Sequence, residues 1–202
     1  MGNVQVLAAL ARRLNRAAGR TSLPALYFFT DPKRTPDPLR IAARLPRGAA
    51  VVYRHFGAAD RLAVARELAK LCRARGLVLL IGADPELARA VGADGVHWPE
   101  RMVGRWPAGR RSSQGIETAA THGARGIIRA AQAGMDAVVL APVFPSRSGS
   151  GGQPLGPLRA GLLARTAPLP VIALGGVTTR TAKRLLGLGF SGIAAVDGLS
   201  ED

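Results

Sequence analysis

Cysteine, aromatic residues and lysine are all scarce in this chain of 202 residues, and no apolar run is long. The single Cys72 excludes a disulfide bond within the chain and favours a reducing compartment. It lies in a helical pattern, ARELAKLCRA, where a buried and unreactive thiol is the ordinary role. No segment approaches the ~20 apolar residues of a membrane span, and no secretory signal is recognisable. We therefore expect a cytoplasmic protein that does not contact membranes.

Acidic residues are also few, and the formal net charge at pH 7 is +15. Only Lys33, Lys70 and Lys183 among the 28 basic residues are lysine, and the arginines are spread from Arg12 to Arg184. Because a nucleic-acid footprint is normally clustered, this scatter indicates compositional bias and argues against nucleic acid as the main partner. A basic surface around an active site would still attract phosphorylated substrates.

A glycine followed by a turn and a short apolar run recurs late in the chain. The copies are AVGADGVHW at 90–98, QAGMDAVVLAPVF at 132–144 and LGFSGIAAV at 188–196. Glycine suits the left-handed residue that ends a helix, and nearly continuous apolar runs are typical of parallel strands covered by helices. These repeated units predict a short (β/α)8 TIM barrel, in which the chemistry lies at the C-terminal ends of the strands.

The strand pattern occurs often enough to complete such a barrel. The expected strands are 23–30, 49–56, 77–83, 95–98, 116–122, 136–144, 170–177 and 192–198. Helical patterns over 60–75 and 85–92 lie between them, and Thr178 and Thr179 are placed to cap a helix that reaches about Leu188. The chain stops soon after the eighth strand, so we expect a truncated C-terminal helix.

Residues 1–20 form an extra amphipathic helix, and the barrel then occupies residues 21–202. Leu7, Leu10 and Leu14 share one face of this helix, and the arginines share the other. We expect the helix to cap one end of the barrel or to cover the gap that the truncated eighth helix leaves. A membrane-surface helix or an organellar presequence is the alternative interpretation.

Six motifs run in the order found in one known family. They are LYFFTD, VVYRHF, LLIGAD, AVGADGVHWPE, THGARGIIRAAQAGMDAVVLAPVFPSRS and PVIALGGVTTRTAKRLLGLGFSGIAAV. Over about residues 23–198 the chain resembles the thiamine phosphate synthase/TenI family. The resemblance implies phosphorylated thiamine precursors as ligands and a homodimer as one expectation. Synthase members join a pyrimidine diphosphate to a thiazole phosphate with Mg²⁺, and TenI members include tautomerases that aromatise a thiazole phosphate carboxylate.

The resemblance also implies which residues hold phosphate groups at the barrel mouth. These residues are Arg54, Ser146, Arg147, Ser148, Gly175 and Gly176. The planar guanidinium of Arg54 suits phosphate oxygens, the two serines match family hydroxyls, and the glycines let backbone N–H groups approach a phosphate. The segment SRSGSGGQPLG, which includes the serines, is interpreted as a mobile lid or as a plain connection.

The magnesium ligands of the synthases are mostly missing. Four positions depart from the synthase pattern: Phe56, Ala83, Met102 and Gly149. The second and third replace aspartates linked to Mg²⁺, and the first and fourth replace lysines. Because Mg²⁺ requires hard oxygen ligands, we expect no cofactor, with Mg²⁺ only if synthase activity persists. Asp84 and Glu100 are weak candidates for a substitute metal site, although Asp84 also suits the N-cap of the helix that follows it.

Two further residues bear on the activity. His122 follows the fifth strand, and an imidazole there can accept and return a proton without a metal, although it could instead cap the next helix. Asp197 stands where the resemblance implies a small hydroxyl, and its carboxylate would repel a phosphate dianion unless it is neutralised or paired with an arginine. His97 is expected to be a buried core histidine. We therefore favour a TenI-like tautomerase with His122 as acid and base. An active synthase and a non-catalytic ligand-binding or nucleic-acid-associated protein are the alternatives.

Overall fold

A closed barrel of eight parallel strands, joined in chain order, forms the centre of the molecule. The computed structural model describes residues 2–19, 22–104, 115–146 and 152–199. The strands are β1 (Leu26–Phe29), β2 (Ala50–Tyr53), β3 (Val78–Gly82), β4 (Gly95–Trp98), β5 (Ile116–Thr121), β6 (Ala137–Leu140), β7 (Val171–Ala173) and β8 (Gly192–Ala195). The helices are α1 (Asn3–Ala17), α2 (Pro38–Ala42), α3 (Arg61–Arg75), α4 (Pro85–Val91), α5 (Ala124–Gln132) and α6 (Pro157–Thr166). The predicted (β/α)8 barrel is confirmed.

The side chains of each strand alternate between two cores. In β1, Tyr27 and Phe29 point into the barrel, whereas Leu26 and Phe28 pack outwards against the helices. Both faces are buried, which explains why the strands are apolar along their whole length. The outer core also contains Cys72 of α3, and burial raises the pKa of this thiol to about 12, as expected for an unreactive cysteine.

The helix expected to reach Leu188 is shorter than predicted. Only a 3₁₀ turn forms, over Ala182–Leu185. The chain becomes extended at Leu186, where ψ is 132°, and left-handed at Gly187, where φ is 74°, and a helix tolerates neither. Thr178 still caps the turn that leads into this 3₁₀ segment, since its Oγ1 accepts a hydrogen bond from the N–H of Thr181 at 3.2 Å. The short α2 and the helix α6 were not predicted from the sequence.

The N-terminal helix α1 packs on the outside of the barrel where β8 and β1 meet. Leu7 and Leu14 are buried there, and Asn15 Nδ2 donates a hydrogen bond to the carbonyl oxygen of Ser191 at 2.9 Å. α1 therefore covers the closing strands in the position that an eighth helix would take. Within the described ranges, no helix combines the length and apolar character needed to cross a membrane.

Candidate active site

Arg54 lies at the mouth of the barrel, one residue beyond β2. Its N–H donates to Thr30 Oγ1 at 2.9 Å, and its Nε donates to the carbonyl oxygen of Thr30 at 3.1 Å. The guanidinium carbon lies 5.1 Å from the centre of the Phe29 ring. Burial lowers the pKa of Arg54, and the nearby Asp31 only partly opposes this shift. No carboxylate of the described residues forms an ion pair with Arg54, so the geometry leaves a half-buried cation able to bind an anion.

Gly175 and Gly176 follow β7, with φ values of 94° and 62°. A Cβ on Gly175 would lie 2.8 Å from the Cα of Pro142, and one on Gly176 would collide with the carbonyl oxygen of Pro145. The loop after β6 is fixed against these glycines, because the N–H of Phe144 donates to the carbonyl oxygen of Gly175 at 3.0 Å. Neither glycine N–H donates to an acceptor among the described residues. Both amides can therefore serve a phosphate oxygen.

Three of the predicted phosphate ligands lie around the lid segment. Ser146 is exposed at the end of the loop that follows β6. Arg147 and Ser148 lie outside the described residues, together with the first half of the segment interpreted as a lid. Their role in binding phosphate stays a prediction.

Asp197, the second residue after β8, is paired with an arginine that the sequence did not single out. Arg34 Nη1 lies 3.1 Å from Asp197 Oδ2, and Arg34 Nε lies 3.5 Å from Asp31 Oδ2. Burial raises the pKa of Asp31, but hydrogen bonds from the N–H groups of Arg34 and Lys33 and the nearby arginine charges outweigh it and lower the pKa. This pairing meets the condition under which a carboxylate at this position is compatible with a phosphate ligand. The only signal in the sequence was the basic PKR segment after β1.

His122 follows β5 and is joined to a carboxylate from the 3₁₀ turn that follows the neighbouring strand β4. Its Nδ1 lies 2.5 Å from Glu100 Oε2, and its backbone N–H donates to the same oxygen at 2.9 Å. The His122 side chain is 54% exposed, so solvent and ligands can reach the ring. An ionised carboxylate can only accept hydrogen bonds. When the His122 ring is neutral, its Nδ1 therefore carries the proton and its Nε2 is the free base. The sequence named both residues but did not predict that they form a pair.

The two weak metal candidates are committed to other partners. Asp84 is the N-cap of α4, as the sequence suggests: Oδ1 accepts the N–H of Leu87 at 2.8 Å, and Oδ2 pairs with Arg61 Nη1 at 2.6 Å. Glu100 holds His122. Across the described parts of the chain, no group of three or more His, Cys, Asp or Glu side chains could hold a metal ion. Within the described ranges, the carboxylates near this mouth are thus paired with other groups and do not fit the Mg²⁺ of the synthases.

Ala83 departs from ordinary backbone geometry at the position of a missing aspartate. Its φ of 54° is the only positive value found for a residue other than glycine in the described ranges. Asn and Asp occupy this left-handed region more readily than Ala does. The backbone thus keeps a conformation that suits the aspartate that the resemblance implies, although Ala83 supplies no oxygen ligand.

His97 points into the barrel below Arg54 and is buried, as the sequence predicts. Its Nδ1 lies 2.9 Å from Thr118 Oγ1, and its ring meets the edge of the Phe29 ring with the centroids 4.9 Å apart. Burial, together with the charge of Arg54, lowers the pKa of His97 to about 3. The ring is therefore neutral at physiological pH and forms part of the floor beneath the mouth.

Comparisons with known proteins identify the family. The sequence profile of the thiamine monophosphate synthase family matches residues 26–199. Thiamine-phosphate synthases from Thiobacillus denitrificans and Marinobacter nauticus are each 35% identical, with 89% and 87% of this chain covered and 89% and 82% of theirs. A thiamine-phosphate synthase from Geobacillus kaustophilus is 30% identical over 70% of this chain and 65% of its own length. The solved thiamine phosphate pyrophosphorylase from Pyrococcus furiosus shares the fold, with a TM-score of 0.71, 22% identity and coverage of 95% of this chain and 93% of that chain. The chain belongs to the thiamine monophosphate synthase family.

Proposed function

We propose that this protein is a metal-independent tautomerase that aromatises a thiazole phosphate carboxylate. The observation that carries the proposal is the His122–Glu100 pair, with Nδ1 and Oε2 2.5 Å apart at the barrel mouth. It places an accessible acid–base group among the strand ends that also present Arg54 and the amides of Gly175 and Gly176. Proton transfer needs only such a group, whereas departure of a diphosphate is helped by Mg²⁺ and by a lysine cation, and the positions that the resemblance assigns to the metal ligands and this lysine hold Ala83, Met102 and Phe56 here.

The reaction moves one proton between two atoms of the same ligand. The N–H groups of Gly175 and Gly176 bind the phosphate of the thiazole ligand. Arg54 binds either the ligand's carboxylate or a further oxygen of the same phosphate. His122 Nε2 removes a proton from the ring carbon, and Glu100 stabilises the imidazolium that forms. His122 then returns the proton to the position that completes the aromatic ring, so no atom is gained or lost.

The second candidate is an active thiamine phosphate synthase. The names of the relatives favour it, since the curated proteins that cover most of this chain are thiamine-phosphate synthases. It requires Mg²⁺ ligands other than Ala83 and Met102, and it requires Asp84 to leave its pair with Arg61. A synthase of this kind would lose activity in Asp84→Asn, whereas the tautomerase would not.

One mass-spectrometric assay separates the candidates. The protein is incubated with pyrimidine diphosphate, the thiazole phosphate carboxylate tautomer and Mg²⁺, and the products are identified. Formation of the aromatic isomer with no thiamine phosphate above the uncatalysed level supports the tautomerase. Thiamine phosphate formation supports the synthase, and unchanged substrates contradict both.

Two substitutions test the role of the pair. His122→Ala should lower tautomerase turnover about 10²- to 10⁴-fold, because the acid–base group is lost. Glu100→Gln should reduce turnover less, since it removes the charge that stabilises the imidazolium but keeps the base. Arg125→Gln, an exposed change in the first turn of α5, is the matched control and should keep wild-type turnover. Unchanged turnover in His122→Ala would refute the assignment.

A further inference from the structure

Arginines that are dispersed along the sequence meet at the end of the barrel opposite the mouth. Because strands are parallel and helices connect them, each helix ends where the next strand begins, and these ends lie together. Arg73 and Arg75 lie in the last turn of α3, and Arg89 lies in the last turn of α4. Arg47 comes shortly before β2, and Arg12 lies on α1. These five residues are called the arginine surface below.

Contacts between segments indicate that the arginine surface is continuous. A Cβ built on Gly92, the C-cap of α4, would lie 3.4 Å from Arg73 Nη2. A Cβ on Gly76, directly after α3, would lie 3.0 Å from the guanidinium carbon of Arg47. Arg47 and Arg12 line one cavity of about 400 Å³ between α1 and the starts of β1 and β2. The side chains thus run from α1 across to α4.

The guanidinium groups of the arginine surface are exposed and lack carboxylate partners within the described residues. Two arginines at the mouth, Arg34 and Arg61, differ because each is paired with a carboxylate. Asp94, in the turn after α4, uses its Oδ2 to accept the N–H of Leu79 at 2.7 Å. The positive charge of this end is therefore available to a partner outside the chain.

Stabilisation of the helix dipoles does not account for this arrangement. Cations near helix C-termini do interact favourably with the macrodipole. However, Arg12 and Arg47 lie outside any last helical turn, and α3 carries two such arginines. Acidic residues near helix N-termini would be expected from the same effect, but the first turns of α1, α3, α5 and α6 contain none.

We propose that the arginine surface binds the phosphate backbone of a nucleic-acid duplex without sequence preference. Guanidinium groups bind phosphate oxygens in a planar, two-pronged geometry, and backbone contacts carry no base information. Single-stranded binding normally uses aromatic platforms, and among the described residues the one exposed large aromatic side chain is Phe56, at the mouth. The arginines are scattered along the sequence, but the fold brings these five together at one end of the barrel.

Salt-dependent binding to a mixed-sequence 30-base-pair DNA duplex, followed by fluorescence anisotropy, tests the proposal. If all five arginines contact phosphates, the affinity should fall about 500-fold between 50 and 200 mM salt. The triple variant Arg73→Gln/Arg75→Gln/Arg89→Gln should bind more weakly at 50 mM salt, and its affinity should fall only about 12-fold over the same range. A duplex of scrambled sequence should bind equally well.

The matched control carries the same loss of charge at the other end of the barrel. Arg125→Gln/Arg159→Gln/Arg180→Gln replaces three exposed arginines near the mouth and should keep the salt dependence of the wild type. Equal weakening in both triple variants, or no duplex binding at 50 mM salt, overturns the proposal. Tighter binding to vesicles containing phosphatidylserine than to the duplex also overturns it. If the first triple variant fails to fold, Arg12→Gln/Arg47→Gln provides an independent test against Arg125→Gln/Arg159→Gln.

Discussion

Replacing Arg54 with methionine should stabilise the protein while it weakens anion binding. Methionine is close in length to arginine and needs no solvation. The half-buried guanidinium, which has no carboxylate partner among the described residues, costs several kcal/mol of desolvation. Against this, the hydrogen bond from Nε to the carbonyl oxygen of Thr30 and the contact with the Phe29 ring contribute about 3 kcal/mol together. We therefore expect the free energy of unfolding of the ligand-free protein to rise by about 1–2 kcal/mol.

The binding measurement should move in the opposite direction. A charged hydrogen bond to phosphate contributes about 1.5–3 kcal/mol, so Arg54→Met should bind inorganic diphosphate about 10- to 150-fold more weakly. Urea unfolding measures the stability, and isothermal titration calorimetry measures the affinity. A gain in stability with a loss of binding is typical of a functional residue, because the site retains a charge that the fold alone does not favour.

Arg61→Met is the matched control on the same rim. Arg61 pairs with Asp84 at 2.6 Å and donates to the carbonyl oxygen of Gly82 at 3.0 Å, so its loss should destabilise the protein by about 1–2 kcal/mol. The diphosphate affinity of Arg61→Met should stay within about twofold of the wild type, a difference of under about 0.5 kcal/mol. The reasoning fails if Arg54→Met destabilises the protein as Arg61→Met does, or if it leaves diphosphate affinity unchanged.

Three further outcomes are expected. Ala83→Gly should raise the free energy of unfolding by about 0.5–1 kcal/mol and Gly134→Ala should lower it by about 1 kcal/mol, because both positions have positive φ and Gly134 has open space around it; urea unfolding that shows the same sign for both contradicts this. Burial lowers the pKa of His97 to about 3 from 6.5, so its neutral ring stabilises the fold above pH 6.5, and this contribution is lost as the pH falls towards 3. His97→Gln should therefore flatten the dependence of the urea midpoint on pH in that window, and an unchanged slope would argue against it. Asp197→Ser should remove a repelling carboxylate and release Arg34 Nη1, while Arg34 Nε stays beside Asp31, so inorganic phosphate should bind about fivefold more tightly in calorimetry; weaker binding would show that Asp197 supports the site.

Local patterns predicted most of the scaffold. The strands and the helices α1, α3 and α4 were recognisable because burial on both faces leaves strands apolar, and because helix caps such as Asp84 and Gly92 act over three or four residues. α6 was missed because it begins just beyond a segment rich in glycine and serine. The helix expected to reach Leu188 ends early, because Gly187 adopts a left-handed conformation that the apolar pattern around it does not indicate.

Local residue patterns set the alternation of helices and strands, the order of the strands and the residue types placed at each strand end. These are local properties, since alternation and capping depend on neighbours along the chain. Which charges meet was determined only by closure of the barrel. Arg34 reaches Asp197 because β1 and β8 are adjacent, and His122 reaches Glu100 because β5 lies beside β4. Whether an arginine is paired, half-buried without a partner or exposed in a group depends on such distant contacts, which local sequence patterns do not specify.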